Sequence, residues 1–421
     1  MPSPAHRVVT APQQRIFPEG PDRRPVREVF GAFLKLGLTS FGGPIAHLGY
    51  YREEFVLRRR WIDEAGYADL VALCQFLPGP ASSQAGFALG LMRAGYRGAL
   101  AAWAAFTLPS ALVMVLFAFG LPFVEGKPGE AALHGLKIVP VAVVGQAVWG
   151  MARSLCPDRP RAAIALTAIL LVVLAGGTFA QIGAIFMGGL AGLWLCRQVD
   201  AAPLAQLPIP ISRRAGAAAL AVFFLLLVLL PVAAARLPLQ ELRLFDAFYR
   251  AGALVFGGGH VVLPLLEAET VSPGWISRDA FLAGYGAAQA IPGPLFTFAA
   301  YVGAAASPEP NGWIGAALCL AAIFLPGLLL VLGVLPFWGM LRAHSPAQAA
   351  LRGTNAAVVG LLGAALYDPL WTGAIRQPSD FAIAVTGFAL LTIWRTPPWI
   401  VVIMSVGASA ALAAIGWQSA E

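Results

Sequence analysis

The stretch Ala215 to Val232 holds eighteen residues without one charge, and comparable apolar runs extend from Ile164 to Ala175, onward through Gln181 to Leu195, and from Ile314 to Phe337. A helix needs about 20 apolar residues to cross the hydrocarbon core of a bilayer. A water-soluble fold would leave this surface exposed. The whole chain agrees, with 58% hydrophobic and 12% charged residues over 421 positions, the balance of a lipid-embedded bundle and not of a globular enzyme. The expected fold class is an all-α polytopic membrane protein.

The formal net charge of +7 would suggest nucleic acid in a soluble protein. Here the basic residues fall in short stretches between apolar segments, so they read as topology determinants, with no nucleic-acid partner. Met1 to Arg27 is polar, proline-rich and basic, without the apolar core of a signal peptide, and reads as a cytoplasmic tail. Cys74, Cys156, Cys196 and Cys319 are scattered without metal-ligand spacing and read as small apolar helix residues; neither metal nor cofactor is expected. A Walker loop, a zinc-protease helix and a nucleophile elbow are all missing, so neither an ATP-driven pump nor a hydrolase has its machinery and an enzyme is not expected.

The chain repeats itself. Phe30-Gly-Ala-Phe-Leu-Lys35-Leu-Gly-Leu-Thr-Ser-Phe41-Gly42-Gly43 returns as Phe245-Asp-Ala-Phe-Tyr-Arg250-Ala-Gly-Ala-Leu-Val-Phe256-Gly257-Gly258, with seven identities at one offset. Nearly the same offset carries Glu53 to Glu267, Trp61 to Trp275, Gln75 with Pro78-Gly79-Pro80 to Gln289 with Pro292-Gly293-Pro294, and Pro109 to Pro326. The domains read as a tail (1–25), a first membrane repeat (26–197), a linker with one extra transmembrane helix (198–240) and a second repeat (241–415). One added span inverts the second repeat if each repeat crosses an even number of times. Charge agrees: Arg58, Arg59, Arg60, Arg93 and Arg97 flank first-repeat segments, whereas Ala304 to Gly312 holds no Lys or Arg. Two homologous inverted-topology repeats with broken or re-entrant helices are therefore expected; spanning and re-entrant readings of Phe30–Tyr50 and Tyr67–Met92 both stay open.

Pro78-Gly79-Pro80 and Pro292-Gly293-Pro294 sit inside apolar segments, where proline removes a donor and helical continuity fails. Phe41-Gly42-Gly43-Pro44 and Phe256-Gly257-Gly258 form a second pair of breaks. Irregular backbone at membrane depth is tolerated only against protein or a watery cavity, so paired breaks mark a transport site. Half-helices restarting after them present free N–H groups to an oxyanion. Ser82, Ser83 and Thr297 just beyond the prolines, Gln75 and Gln289 just before them, and the intramembrane cations Lys35 and Arg250 complete the candidate binding set. Glu53, Glu267, His47 and His260 are the candidates for proton coupling.

In combination these residues resemble the chromate ion transporter family, whose long members carry two halves, each with a Gly-Gly segment, a downstream Trp and a Pro-Gly-Pro motif. The resemblance covers nearly the whole chain after the tail. It implies export of chromate through the bacterial inner membrane, energised by the proton motive force, with sulfate as a similar anion, an N-terminus in the cytoplasm and the lipid bilayer as partner. A homodimer stays open. The alternatives are a sulfate or other tetrahedral oxyanion carrier that handles chromate by mimicry, and a non-transporting scaffold.

Overall fold

The computed structural model describes residues 24–124, 126–197, 210–307 and 309–415; residues 1–23 of the expected tail and part of the linker lie outside them, while Arg24 and Pro25 already begin the first helix. The first repeat comprises α1 (Arg24–Thr39), α2 (Gly43–Tyr51, continued by a π-helical turn Arg52–Arg58), α3 (Glu64–Phe76), α4 (Ala81–Gly120), α5 (Gly126–Leu155), α6 (Arg159–Ala175) and α7 (Gly177–Leu195). The linker helix is α8 (Arg213–Arg236). The second repeat comprises α9 (Gln240–Leu254), α10 (Val262–Thr270), α11 (Arg278–Ala288), α12 (Phe298–Ala305), α13 (Gly312–Val334), α14 (Trp338–Ala343), α15 (Ser345–Ala365), α16 (Thr372–Ala374), α17 (Pro378–Thr392) and α18 (Pro398–Ala414). No strand occurs among the described residues. The repeats even share caps: Asp63 accepts from Gly66 N to start α3, and its equivalent Ser277 accepts from Ala280 N to start α11.

The segments around the breaks are hairpins. Phe33 on α1 lies 5.5 Å from Tyr51 and 4.8 Å from Phe55 across the Gly42–Gly43 turn, so α2 runs back along α1. Tyr301 on α12 donates to the Ala280 carbonyl on α11 at 2.7 Å across the Pro-Gly-Pro turn. Their helical arms run from 8 residues in α12 to 16 in α1, or about 12 to 24 Å at the α-helical rise, which falls short of a hydrocarbon core of about 30 Å. A further reversal divides α4 at Ala94 and Gly95, where φ and ψ leave the helical region. Gly90 and Gly98 then touch back to back, since a Cβ on Gly90 would stand 2.5 Å from the Gly98 carbonyl. Gly303 and Gly315 meet the same way between α12 and α13, so 81–93 corresponds to α12 and 96–120 to α13. The apolar run after Ile164 breaks too, at Gly176 and Gly177 with φ of 64° and 71°, which separates α6 from α7.

The halves exchange their last helices. α6 and α7 pack on α15, while α17 and α18 pack on α5, through glycines that let backbones touch: Gly192 against Ala349 and Gly353, and Gly135 against Ser405 and Val406. Six helical stretches are long and apolar enough to cross a membrane among the described residues, α8 included. On α8, Val222, Phe224, Leu225, Val228 and Leu229 are exposed, as a lipid-facing helix requires.

One departure from two-fold symmetry stands out. On α11, Leu282 is fully buried, Gly286 is pressed against the Leu136 backbone of α5, and Asp279 pairs with Lys137 of α5 at 3.2 Å. The equivalent stripe on α3, Ala65, Ala68, Ala72 and Gln75, is exposed, and α3 touches the second repeat instead through Phe76 against Trp338 and Asp69 against Arg342.

If reciprocal glycine packing closes these hairpins, Gly90→Ala should lower stability by about 1–3 kcal/mol, the cost of overpacking, while Gly183→Ala, which meets no atom within 4 Å, should not. Thermal unfolding in detergent checks both; equal melting points would contradict the hairpin.

Candidate functional site

A glycine between two prolines carries the only N–H of its tripeptide, so its partner decides where the break is anchored. Gly79 N donates to the Val255 carbonyl at 2.7 Å, and Gly293 N donates to the Ser40 carbonyl at 2.9 Å. Ser40 and Val255 are the equivalent residues just before the two Gly-Gly turns. Each Pro-Gly-Pro tip is therefore tied to the Gly-Gly tip of the other repeat, and the four breaks form one crossing.

Glycine is required there. Gly79, Gly293, Gly42, Gly43, Gly257 and Gly258 have φ of 121°, 103°, 102°, 77°, 75° and 151°, the region L side chains avoid. Space is tight as well: a Cβ on Gly79 would stand 3.1 Å from Gly327 Cα, and one on Gly293 would stand 2.7 Å from Ser110 Oγ. Gly327 and Ser110 follow the equivalent helix prolines Pro326 and Pro109, so this contact also obeys the two-fold relation. Pro44 and Gly259 approach where the Gly-Gly turns face each other, with 3.5 Å from Pro44 Cγ to a Cβ built on Gly259. Gly42 and Gly257 are exposed, Phe41, Gly43, Pro44, Phe256, Gly258, Pro78, Pro292 and Gly293 are half-buried, and Gly79, Pro80 and Pro294 are buried. The helices α2 and α4 start directly after breaks of the first repeat, with unpaired N–H groups at their positive ends.

The side chains around the crossing come from one repeat. His47, 1% exposed, sits with Nε2 at 3.2 Å from the Ser40 carbonyl and Nδ1 at 3.4 Å from Ser82 Oγ. A carbonyl only accepts, so Nε2 carries the proton and Nδ1 accepts from Ser82. Gln84 Nε2 donates to the carbonyls of Pro78 and Gly327 at 2.8 and 3.1 Å. Ser40 Oγ, Ser83 Oγ, Thr107 Oγ1, Tyr51 OH and Gln84 Oε1 are buried without a hydrogen-bond partner. In the second repeat the residues equivalent to Ser40, His47, Tyr51, Ser82, Gln84 and Thr107 are Val255, Val262, Leu266, Phe296, Phe298 and Phe324. Ser83 alone keeps a polar equivalent, Thr297, so the crossing joins a polar wall to a largely apolar one. Sequence reasoning found His47, Ser82 and Ser83 but missed Ser40, Gln84 and Thr107; the polar-to-apolar exchange between aligned repeats is the signal that finds these three.

Other expected site residues stand elsewhere or are already engaged. Thr297 Oγ1 donates to the Pro294 carbonyl at 2.9 Å, within its own turn. His260 Nδ1 lies 2.7 Å from Tyr285 OH, Gln289 Nε2 reaches the Tyr285 carbonyl at 3.4 Å, and Gln75 is exposed on α3. Lys35 and Arg250 occupy equivalent ion pairs: Lys35 Nζ lies 3.6 Å from Glu54, which Arg58 and Arg59 also hold, and Arg250 binds Glu269 and Asp246 at 2.9 Å each. Glu54 and Glu269 are 215 residues apart, as Lys35 and Arg250 are, so the structural counterpart of Glu269 is Glu54, which shifts the pairing of Glu53 with Glu267 by one register. Glu53 is exposed, and Glu267 lies 3.6 Å from Arg278.

A model of the chromate transporter family matches residues 27–193 and 242–412. The chromate transport protein of Pseudomonas aeruginosa is 31% identical over 386 residues, covering 90% of this chain and 89% of that protein. The chromate transport protein of Cupriavidus metallidurans is 26% identical over 373 residues, covering 87% and 88%. The uncharacterized transporter YwrA of Bacillus subtilis is 32% identical over 158 residues, 37% of this chain but 86% of its own length, so a relative about the size of one repeat exists. No solved structure matches.

The ties between tips predict slow hydrogen–deuterium exchange at Gly79 and Gly293, the only amides in their motifs, compared with the exposed amide of Gly177, which opens α7 and has no intrahelical partner. Equally fast exchange at all three would contradict the crossing.

Proposed function

Because the chain belongs to the chromate transporter family, we propose that it exports chromate from the bacterial cytoplasm across the inner membrane as a secondary active transporter, the anion binding at the crossing of the four helix breaks. The observation that carries this reading is the crossing itself: irregular, glycine-lined backbone with free helix N-termini, held between two repeats. Phe41, Gly42, Gly43, Pro44, Pro78, Gly79, Pro80 and Ser82 supply the first-repeat side, and Phe256, Gly257, Gly258, Pro292, Gly293, Pro294 and Thr297 the second. The first repeat adds hydroxyls with unused donors, which suit a tetrahedral oxyanion. Gln75 and Gln289 mark the approaches. Lys35 and Arg250, paired outside the crossing, fix the hairpins and set the field at its mouths.

Inversion of the repeats has physical support. The hairpins return to the side they enter, and the long arm of α4 with α5, α6 and α7 gives each repeat an even number of crossings, so α8 reverses the second. The equivalent ion clusters differ in sign: Glu54 is served by Lys35, Arg58 and Arg59, whereas Arg250 alone serves Asp246 and Glu269. A cationic cytoplasmic mouth fits the positive-inside rule and an N-terminus in the cytoplasm, and it attracts a dianion.

Alternation of access follows from the unequal packing of α3 and α11. In an inverted repeat the opposite-facing state exchanges the roles of the halves, so α3 closes on α15 as α11 now lies on α5, Ala72 approaching Leu351 as Gly286 meets Leu136. A dianion leaving a negative-inside cell gains roughly 4.6 kcal/mol per 100 mV, on the order of a thousandfold in gradient, and the proton gradient adds to this. Sulfate, also a tetrahedral dianion, is the second substrate reading, since neutral hydroxyl and amide donors distinguish the two anions poorly.

Inverted membrane vesicles containing the protein should accumulate labelled chromate. Gly79→Ala and Gly293→Ala, inserted normally, should reduce the rate by about tenfold or more, equivalent to roughly 1.4 kcal/mol. Protein-independent uptake would remove the transport reading, and complete suppression by equimolar sulfate would favour the sulfate carrier. A cysteine pair at Ala72 and Leu351 should cross-link during turnover and arrest it; a pair that never cross-links would contradict the exchange of roles.

A further inference from the structure

Equivalent positions in the two repeats hold opposite charge balances, and in the second two carboxylates share one guanidinium. In the first repeat the buried Glu54 has three cationic partners, and Gly31 occupies the place equivalent to Asp246. In the second, Arg250 binds Glu269 with both terminal nitrogens, at 3.0 and 2.9 Å, and Asp246 through Nε at 3.0 Å. Two carboxylates therefore share one guanidinium. Asp246 is 4% exposed, and its second oxygen, Oδ1, has no hydrogen-bond partner. Both carboxylates line a cleft of about 760 Å³ that also reaches Arg243 and Trp275.

The surroundings give Oδ1 no donor. The walls from α7 and α8, with Phe179, Ile182, Pro231 and alanines, present no titratable group. α13, which packs along α9, holds no charged residue. From α10, Glu267 adds a further negative charge near Arg278 rather than Arg250. Arg243 is the other cation on the cleft, exposed on the outer turn of α9. Asp246 is almost wholly buried on a shared guanidinium, and a buried carboxylate oxygen without a donor is costly unless a cation joins it.

Resting on the reading of the chain as a secondary transporter, we propose that Asp246 and Glu269, bridged by Arg250, form the proton-binding site of this protein, in place of Glu53, Glu267, His47 or His260. One proton enters from water through the cleft, resides on this carboxylate pair and leaves as the second repeat changes its packing. Arg250 acts as the positioning residue that holds the two carboxylates together. The site lies on α9 and α10, the arms that carry the second Gly-Gly turn, so its occupancy bears on the crossing through a rigid hairpin.

Proteoliposomes with two assays test this. The first is exchange of external labelled chromate for internal chromate without any gradient, which needs binding and alternation but no proton. The second is accumulation driven by an imposed pH gradient at zero voltage. For Asp246→Asn, and independently for Glu269→Gln, exchange should stay within about twofold of the unmodified protein while gradient-driven accumulation falls at least roughly tenfold. Asp246→Glu should retain accumulation. Variants that still follow the pH gradient would overturn the assignment, as would a parallel loss of exchange, which would make the triad structural. Accumulation driven by a sodium gradient and insensitive to pH would overturn it in favour of a metal cation. Absence of exchange in the unmodified protein would instead remove the transport reading, and this site with it.

Discussion

Two backbone hydrogen bonds organise the molecule: Gly79 to Val255 and Gly293 to Ser40. A helix that stops inside a bilayer strands N–H and C=O groups where water cannot satisfy them, each costing several kcal/mol. Here each repeat satisfies the broken end of the other. The Pro-Gly-Pro motif leaves a single donor per tip and the Gly-Gly turn leaves an acceptor just before it, so the match is made once in each direction. Either repeat alone would leave both groups unpaired. The exchange of α6 and α7 for α17 and α18 across the two halves serves the same end at the periphery.

Around this symmetric scaffold the chemistry is not symmetric. The first repeat surrounds the crossing with His47, Ser40, Ser82, Gln84 and Thr107, where the second has valine and phenylalanine; Ser83 alone meets a polar equivalent, Thr297. Shape is thus supplied by both halves and hydrogen-bonding capacity mainly by one. The outer ends reverse in another sense, cationic around Glu54 and anionic around Arg250. A duplicated fold has kept its backbone logic while its side chains diverged between the two repeats.

Much of this was legible in the sequence. The repeat from Phe30 and Phe245, the breaks, and the added span Ala215 to Val232 could be read directly, because glycine, proline and long apolar runs act through local backbone physics. The segment end at Met92 and the flanking Arg93 and Arg97 were legible, but the tight reversal at Ala94–Gly95 emerges only from the packing of Gly90 on Gly98. The roles of Lys35 and Arg250 were half legible. Their place within apolar segments was clear, but their partners Glu54 and Glu269 lie after the Gly-Gly turns and are brought back to them only by the hairpins. The polar wall escaped because serine and threonine in apolar segments have no pattern of their own; they become a site only when the fold gathers them around His47. The unequal burial of α3 and α11 could not be read from sequence, since Ala68 and Leu282 are both apolar and only the packing of α11 on α5 distinguishes them.

The central claim is that the anion sits at the crossing of the four breaks. Anomalous scattering at the chromium absorption edge, from crystals of the protein grown with chromate, locates the metal of the anion directly. The account predicts one principal chromium position within hydrogen-bonding reach of the Gly-Gly and Pro-Gly-Pro turns and of the hydroxyls of Ser40, Ser82 and Ser83. A principal position in the cleft beside Arg250, or beside Lys35, with none at the crossing, would contradict it.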